Sequence, residues 1–560
     1  MLALRLPLLP LLLLLSLTLL LPLPADGREE QPGEAIRRLL EDAFPSEAMK
    51  IHQIPLRNAP VLRNFYQQRS FAPAWTDTSG LPRNSANQLL TAIKEADAEG
   101  LAPRDYHLEP IRVLSSLLAI HPAPGLAAEL DLLLTDAFLL LGYHLLHGRI
   151  NQESGTAQWQ IERSQAKLNL ALHAATTEDG NPQAILAGLL PQQTGYRELR
   201  ATLADYRRLA EHGGWPRVPG SATLRLGDRD HRVVALRQRL HRSRDLSGAA
   251  LQGEEFDQTL QEAVRTFQRR HGLVADGVVG RQTLTTLNVP VEVRIRQLEL
   301  NLERWRWLAE EFGRRHILVN TAANKLELVE DEQPIVSMRV VTGTPYRRTP
   351  NFSDRVTYLV LNPYWNIPTS IAAQDIIPEL LENPDYLEQS GIKVLNGWEA
   401  DSATVAPDTV DWERLRSRPN TFPYRLRQDP GPRNPLGRIK FMFPNAYSVY
   451  LHDTPARELF HRQTRNFSSG CIRLEKPLTL AAYLLTDTPL NSTEALRTAL
   501  IDDASHNRHV RLPSPVPVHL VYWTAWVAPD GSVQFRNDIY ERDDLLARAL
   551  TTPPPMLASR

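Results

Sequence analysis

Two short runs in the C-terminal third of the 560-residue chain decide how it is organised: Val449-Tyr450-Leu451-His452-Asp453-Thr454-Pro455 and Asn466-Phe467-Ser468-Ser469-Gly470-Cys471-Ile472-Arg473-Leu474. The alternating stretch 447–451 predicts a strand, and His452 follows it directly. Cys471 is the single cysteine of the chain. It comes after Gly470, which permits a tight turn and a close approach of backbone to substrate. The two runs therefore predict a histidine at a strand end and a cysteine on a turn.

These residue types suit nucleophilic acyl transfer. A cysteine attacks as its thiolate, and a free pKa of about 8.5 keeps it mostly protonated at neutral pH. A histidine with a free pKa of about 6.5 can take that proton. The amides of the turn at Gly470 and Cys471 can face the oxyanion that develops on the substrate. The alternative is that Cys471 is a small buried apolar residue, as many single cysteines are.

The first 25 residues are almost continuously apolar after Arg5 and end at Ala25, which predicts a secretory signal peptide cleaved near that residue. The alternative is an uncleaved segment that anchors the chain in the inner membrane, although four prolines disfavour a stable span. Whether the segment is cleaved or retained as an anchor, we expect the rest of the chain to be exported. Because a free thiol is a liability in an oxidising compartment, its retention is better explained if Cys471 reacts.

Composition excludes several classes of protein. Hydrophobic residues make up 42% of the chain and charged residues 23%, which is ordinary for globular domains. The formal net charge of −1 argues against nucleic-acid binding and against electrostatic binding to membranes. The length predicts three or four domains.

The combination of the upstream His452 with Ser468-x-Gly470-Cys471-x-Arg473 resembles the signature of the L,D-transpeptidase family of cell-wall enzymes. Many members carry a histidine between the serine and the glycine, where this chain has Ser469. Many also have Gly-Thr or Gly-Ser after the upstream histidine, where this chain has Asp453-Thr454. These departures match the large, multidomain Gram-negative members, and they put in doubt a role for a second histidine.

The resemblance implies a periplasmic enzyme that needs no metal or other cofactor and that forms 3→3 peptidoglycan cross-links through a thioester. Cys471 is then the nucleophile and His452 its general base, with Gly470 at the oxyanion turn. Arg473, Tyr450 and Ser468 are candidate substrate-binding residues, although Arg473 is equally expected to brace the turn and Ser468 to hydrogen-bond locally. Peptidoglycan stem peptides are the expected donor and acceptor, and other cell-wall synthesis enzymes are expected partners. Hydrolysis by the same cysteine, as a carboxypeptidase or a cross-link hydrolase, and a non-enzymatic wall-binding scaffold are the alternatives.

The orientation of His452 can be predicted from strand geometry. Neighbouring side chains on a strand point to opposite faces, so the carboxylate of Asp453 is badly placed to hold the imidazole. We therefore expect the backbone carbonyl of Asp453 to orient it.

The predicted fold is multidomain α+β, with a helical scaffold region at 28–215 and a mixed, β-rich catalytic domain at 316–545. Between them, three motifs at 222–290 resemble a three-helix peptidoglycan-binding domain: Val233-x-x-Leu236-x-x-x-Leu240, Ala263-Val264-x-x-Phe267-Gln268 and Asp276-Gly277-x-x-Gly280-x-x-Thr283. Such domains bind the wall or serve as spacers. A linker helix at 291–315 and a disordered tail at 550–560 complete the prediction.

An insertion at about 370–425 interrupts the strand pattern of the catalytic domain, and the resemblance implies a capping subdomain there. We expect it to cover the substrate and to contribute aromatic side chains; the alternative is a folded insert without substrate contact. The aromatic residues are Tyr386, Trp398, Trp412, Phe422 and Tyr424.

Two further patterns resemble functional motifs but are better explained without a catalytic or metal-binding role. His144 and His147 have a spacing that can bind a metal, but without nearby partners a structural role is expected. Ser164-x-x-Lys167 matches the nucleophile motif of penicillin-binding proteins, but the companion Lys-Thr-Gly is absent from the sequence.

Overall fold

The computed structural model describes residues 30–42, 49–150, 165–308, 312–399, 401–418, 422–502 and 507–552. A helical N-terminal region, a three-helix unit and a mixed sheet confirm the predicted multidomain α+β class. The predicted signal peptide, Ser164 and residues 553–560 of the predicted tail lie outside the described residues. None of the helices in the described part of the chain is both long and apolar enough to cross a bilayer.

The N-terminal region packs around one central helix, Pro124–His147, which is buried along most of its length. Buried carboxylates on this helix hold the surrounding loops: Asp131 accepts hydrogen bonds from the amides of Ala74, Trp75 and Thr76 at 2.7–2.9 Å. The other helices are Pro32–Asp42, Ala59–Gln68, Asn84–Glu95, Leu108–Ile120, Gln165–Ala175, Pro182–Ala187 and Thr194–Glu211, with short strands β1 (Lys50–Ile51) and β2 (Ile54–Pro55).

His144 has the structural role that the sequence predicted. It is buried on the central helix, with its Nδ1 3.0 Å from the Tyr106 hydroxyl.

The three-helix unit has its own apolar core, to which the apolar residues of the first two predicted motifs contribute. Its helices are Arg232–Arg242, Gln258–Arg270 and Arg281–Leu287. Asp257 caps the second helix by accepting a hydrogen bond from the Leu260 amide at 2.8 Å. The fully buried residues that meet in the core include Val233, Leu236, Leu240, Leu260, Val264, Phe267 and Leu287.

The helix in the predicted linker region spans Val291–Arg306 and is shorter than the predicted range of 291–315. Near its end the rings of Trp305 and Phe312 stack with their centroids 5.8 Å apart. Trp305 also stacks on Trp523 of the C-terminal region, with the ring centroids 4.3 Å apart, so it is a packing residue. Asn301 donates a hydrogen bond to the Thr524 hydroxyl at 2.9 Å, so the helix is fixed to the same region.

The C-terminal half is built on a mixed sheet whose nine strands pair in the order β12-β5-β13-β11-β10-β6-β14-β3-β4. Because β5 also pairs with β4, the row of strands closes on itself. The pairs β11–β13, β12–β5 and β14–β3 are parallel, and the other pairs are antiparallel. The strands are β3 (Arg315–Asn320), β4 (Lys325–Glu330), β5 (Gln333–Gly343), β6 (Phe352–Leu361), β10 (Ile439–Met442), β11 (Leu451–His452), β12 (Asn466–Ser468), β13 (Ile472–Leu474) and β14 (Arg508–Val521).

Helices Pro477–Leu484 and Thr493–Asp502 pack against the core of this sheet. After β14 the ladder stops, because the side chains of Asn320 and Asn301 accept hydrogen bonds from the amides of Trp523 and Thr524. The next strand, β15 (Ala525–Val527), forms a hairpin with β16 (Val533–Phe535).

A last helix, Arg542–Ala549, was not predicted. The carbonyls of Leu550 and Thr552, in the first residues of the predicted disordered tail, accept hydrogen bonds from Arg149.

The insert between β6 and β10 has a three-stranded sheet and an apolar core of its own. Its strands are β7 (Trp365–Asn366), β8 (Ile392–Leu395) and β9 (Arg425–Gln428), and its helices are Thr369–Ile371, Ala372–Ile376 (a π-helical turn), Ile377–Glu382, Tyr386–Ser390 and Trp412–Ser417. The first three of these follow one another without a break.

Most of the insert's aromatic side chains, which we expected to contribute to substrate binding, pack within the insert. Tyr386, Trp412, Phe422 and Tyr424 pack against the insert's own core, because a subdomain this small needs large side chains to bury enough apolar surface. Trp398 differs, since it is 66% exposed.

Candidate active site

Two neighbouring strands carry His452 and Cys471 to the same face of the sheet. β11 and β13 run parallel, with Leu451 opposite Ile472 and His452 opposite Arg473. Leu451 and Ile472 are fully buried in the core. Since side chains alternate along a strand, His452 and Arg473 project from the other face, and so does Cys471, two residues before Arg473.

Two further side chains complete this reactive face. Tyr450 lies two residues before His452, and the centroids of their rings are 5.7 Å apart. Lys440 of β10 is directly opposite His452, and its ammonium lies 3.7 Å from the centroid of the Tyr450 ring. The reactive face, formed by Lys440, Tyr450, His452, Cys471 and Arg473, therefore combines a thiol, an imidazole, a phenol and two cations. The sequence analysis missed Lys440.

The turn before the cysteine has a fixed shape. Gly470 has a φ of +117°, a conformation that favours glycine. The Gly470 amide donates to the hydroxyl oxygen of Ser468 at 3.2 Å, and that hydroxyl donates to the Cys471 carbonyl at 2.6 Å. Ser468 therefore makes the local hydrogen bonds expected of it. The Cys471 amide, by contrast, donates no hydrogen bond to any described residue.

His452 is oriented by the backbone, as predicted: its Nδ1 lies 2.5 Å from the carbonyl oxygen of Asp453. The Asp453 carboxylate points elsewhere and accepts a hydrogen bond from the Arg438 amide at 2.9 Å. Since a carbonyl can only accept, Nδ1 carries the proton and Nε2 keeps a free lone pair. Burial, with the nearby charge of Arg473 as the next cause, lowers the pKa of His452 to about 3, so the imidazole is neutral at physiological pH.

The thiol of Cys471 is half-buried, and its sulfur lies 3.9 Å from the Ser448 carbonyl oxygen. Burial raises the pKa of this thiol, while hydrogen bonding to Tyr450 and the charges of Lys440 and Arg473 lower it. No hydrogen bond joins the sulfur to the His452 ring in the part of the chain that the structure describes. Proton transfer therefore needs a rotation of the thiol or a bridging solvent molecule, and catalytic contacts often tighten only when substrate binds.

Arg473 is the one site cation on β13. Its guanidinium is half-buried, its Nε is buried, and it makes no hydrogen bond or ion pair with any of the described residues. Of the two roles that the sequence left open, this arrangement favours binding of an external anion over bracing of the turn.

Three parts of the chain match known families. Residues 229–287 match the family described as "Putative peptidoglycan binding domain", and residues 60–203 match one described as a scaffold domain. Residues 314–491, which include the whole reactive face, match the L,D-transpeptidase catalytic domain. The chain carries an L,D-transpeptidase catalytic domain.

Curated relatives of the chain include two bacterial proteins. A Haemophilus influenzae protein named "Putative L,D-transpeptidase" is 34% identical over 276 residues, which is 48% of this chain and 54% of that protein. The N-acetylmuramoyl-L-alanine amidase CwlM of Mycobacterium tuberculosis is 39% identical over 80 residues, 13% of this chain and 20% of that protein. The chain thus spans about half the length of the first relative and a fifth of the second.

Among solved structures, the L,D-transpeptidase (residues 123–326) from Xylanimonas cellulosilytica aligns at 16% identity, covering 54% of this chain and 99% of that chain. The TM-score of 0.16 is too low to support a conclusion.

The insert of the L,D-transpeptidase domain contacts the turn that carries the cysteine. Arg347, in the loop after β5, donates to the Ser469 hydroxyl at 2.8 Å. The same guanidinium pairs with both carboxylate oxygens of Asp375 in the insert at 2.5 and 2.7 Å, and donates to Gln374 at 2.8 Å. Arg347 therefore ties the insert to the catalytic turn, a link that the sequence analysis missed.

Proposed function

We propose that the protein is a cysteine-dependent L,D-transpeptidase that forms 3→3 cross-links in peptidoglycan. The observation that carries the proposal is the pairing of the only cysteine with a neutral histidine on one sheet face. The Asp453 carbonyl occupies Nδ1 of that histidine and leaves Nε2 as the base. The match of residues 314–491 to the catalytic domain supports the proposed class of reaction.

The first step is acylation of Cys471. The sulfur attacks the carbonyl of the amide between the third and fourth residues of a tetrapeptide stem, and His452 takes the thiol proton at Nε2. The tetrahedral adduct collapses, the carbon–nitrogen bond breaks, and His452 returns the proton to the departing amine. Free D-alanine and a thioester on Cys471 are the products.

The second step transfers the acyl group. The side-chain amine of meso-diaminopimelate on a second stem attacks the thioester while His452 accepts a proton from that amine. The carbon–sulfur bond breaks, the thiolate regains a proton from His452, and a 3→3 amide link is formed.

The oxyanion of both steps is proposed to bind at the Cys471 amide. The predicted donor at Gly470 is already used by Ser468, whereas the next amide is free to point at the developing charge. Amide donors placed in this way stabilise a transition state by about 3–4 kcal/mol.

The remaining site residues are assigned to substrate. Arg473, without a partner among the described residues, is proposed to bind a carboxylate of the stem peptide, with Tyr450 beside it in the donor site. The insert is proposed to cover the bound donor, because Arg347 holds it against the catalytic turn. The three-helix domain would hold the enzyme at the wall or space it from the scaffold domain, in the periplasm. Association with other cell-wall synthesis enzymes stays a prediction.

The test is incubation of the purified protein with isolated disaccharide tetrapeptides, followed by chromatography and mass spectrometry of the products. A transpeptidase gives 3→3 linked dimers and free D-alanine, and the Cys471→Ala protein gives neither. Tripeptides without dimers would replace the proposal with hydrolysis by the same cysteine. Unchanged substrate with a well-folded protein would favour a wall-binding scaffold without enzymatic activity.

The pH dependence of acylation follows from the state of the imidazole. Since the pKa of His452 is lowered to about 3, the base is available above about pH 4 and does not titrate near its ordinary pKa of about 6.5. We expect the second-order rate of acylation by a carbapenem, measured by intact mass, to stay flat between about pH 4 and 8. An acidic limb with a midpoint between about pH 6 and 7, with the fold intact by circular dichroism, would show that the imidazole titrates normally.

A further inference from the structure

Lys440 is a cation on the reactive face, and it has no role in the mechanism proposed above. It lies in a cross-strand row with Val360 of β6 on one side and His452 of β11 on the other. Its side chain is half-buried, and its ammonium lies 3.7 Å from the centroid of the Tyr450 ring. Because a cation is attracted to the face of an aromatic ring, this contact holds the ammonium over the Tyr450 ring.

Lys440 has no counter-charge of its own. Among the described residues it forms no ion pair, and its ammonium donates no hydrogen bond. Two other lysines of the same domain are paired, Lys325 with Glu327 and Lys393 with Asp429, each at 2.6 Å. A half-buried ammonium without a partner costs free energy, and burial lowers its pKa. An unpaired ammonium of this kind can stabilise a negative charge that forms on a neighbouring group during the reaction.

The anion that can form on the same face is the thiolate of Cys471, because Lys440 lies opposite His452 and His452 lies opposite Arg473, two residues after the cysteine. Burial disfavours this thiolate, and the charge of Lys440 is one of the opposing causes. The interaction is mutual, because the thiolate in turn raises the pKa of Lys440. No comparable interaction with a carboxylate acts on this lysine among the described residues.

We propose that Lys440 is a positioning residue whose ammonium stabilises the thiolate of Cys471. The inference rests on the proposed function only in taking Cys471 as the nucleophile. Of the two cations on the reactive face, Lys440 is the larger cause that favours the thiolate, and Arg473 is the one that the proposed function assigns to a carboxylate of the substrate.

Among the other groups around the thiol, Tyr450, just before β11, and His452 of β11 are uncharged at neutral pH, because burial raises the pKa of the phenol and lowers that of the imidazole. Arg473 faces the thiol from β13, and its charge also lowers the pKa of the thiol, as a smaller cause than the charge of Lys440. Arg347, on the loop after β5, is neutralised by its ion pair with Asp375. From β6 the neighbour of Lys440 is the apolar Val360.

The test is the pKa of the thiol, measured by the ultraviolet absorption of the thiolate as a difference from Cys471→Ala. A chain with a single cysteine makes this difference specific. We expect Lys440→Gln to raise the pKa of the thiol by about one pH unit, since a nearby opposite charge shifts a pKa by about 1–3. Lys440→Arg, which keeps the charge, should restore a value close to that of the wild type.

The matched control is Lys393→Gln, which removes the same charge from the insert and should leave the pKa of the thiol unchanged. If Lys440→Gln does not fold, Lys440→Met gives a second neutral variant that keeps the aliphatic stem. A folded neutral variant with a wild-type thiol pKa overturns the proposal, and so does an equal rise in Lys440→Arg. The measurement uses no peptidoglycan, so its outcome is independent of whether the protein makes cross-links.

Discussion

Replacing Cys471 with alanine is expected to abolish covalent acylation and to lower the rate of cross-link formation by at least about 10⁴-fold, the scale seen when a nucleophile is removed. Cys471 is the only thiol of the chain, so no second cysteine can take over the attack. The measurement is the intact mass of the protein after incubation with a carbapenem. The wild type should gain one adduct, and the variant none.

The control for this variant is its thermal unfolding. The cysteine side chain is half-buried and small, so its loss should change stability by no more than about 1–2 kcal/mol. Cys471→Ser keeps the volume but exchanges the thiol for a much weaker acid, and it too should lose the adduct. An adduct that persists in the folded alanine variant would place the nucleophile at another residue and remove the basis of the proposed mechanism.

The candidate site of Cys471 and His452 could be predicted in part because some of its features are local. A glycine before the cysteine and a serine two residues before that glycine act within a few residues. The strand predicted at 447–451 was wrong: β11 is Leu451–His452, and Ser448 has a φ of +54°. The role of the Asp453 carbonyl could also be predicted, since alternation along a strand excludes the side chain. The hydrogen bonds of Ser468 and the 2.5 Å contact of His452 follow these local rules.

Lys440 and Arg347 could not be predicted, because their roles depend on pairing between distant parts of the chain. In the sequence, Lys440 is only one charged residue in a short strand, and nothing local says that this strand lies next to β11. The contact of Arg347 with Asp375 depends on where the insert folds back. Register between strands is a tertiary property, and one sequence contains no direct record of it.

The same limit explains why the end of the linker helix was predicted too late. The helix ends at Arg306, and the rings of Trp305 and Phe312 then stack on each other. The aromatic residues of the insert could not be placed from the sequence either, since four of them pack against the core of a small subdomain. Packing of this kind depends on tertiary contacts.

Replacing His452 with glutamine is expected to lower the rate of acylation at neutral pH by about 10²–10⁴-fold, the usual contribution of a general base. Glutamine can still donate to the Asp453 carbonyl, but it cannot accept a proton. The loss should depend on pH: above the raised pKa of the thiol, Cys471 ionises without help, and the rates of variant and wild type should converge. Carbapenem acylation of both proteins, followed by intact mass from neutral to alkaline pH, measures this difference.

The matched control is His461→Gln, because His461 belongs to the same domain and is exposed; its rate should equal that of the wild type at every pH. Convergence at alkaline pH separates the loss of a base from damage to the site, since a distorted site would be slow whether or not the thiol is ionised. A constant ratio of the two rates across the pH range would therefore assign His452 a structural role. It would also leave the deprotonation of Cys471 to solvent.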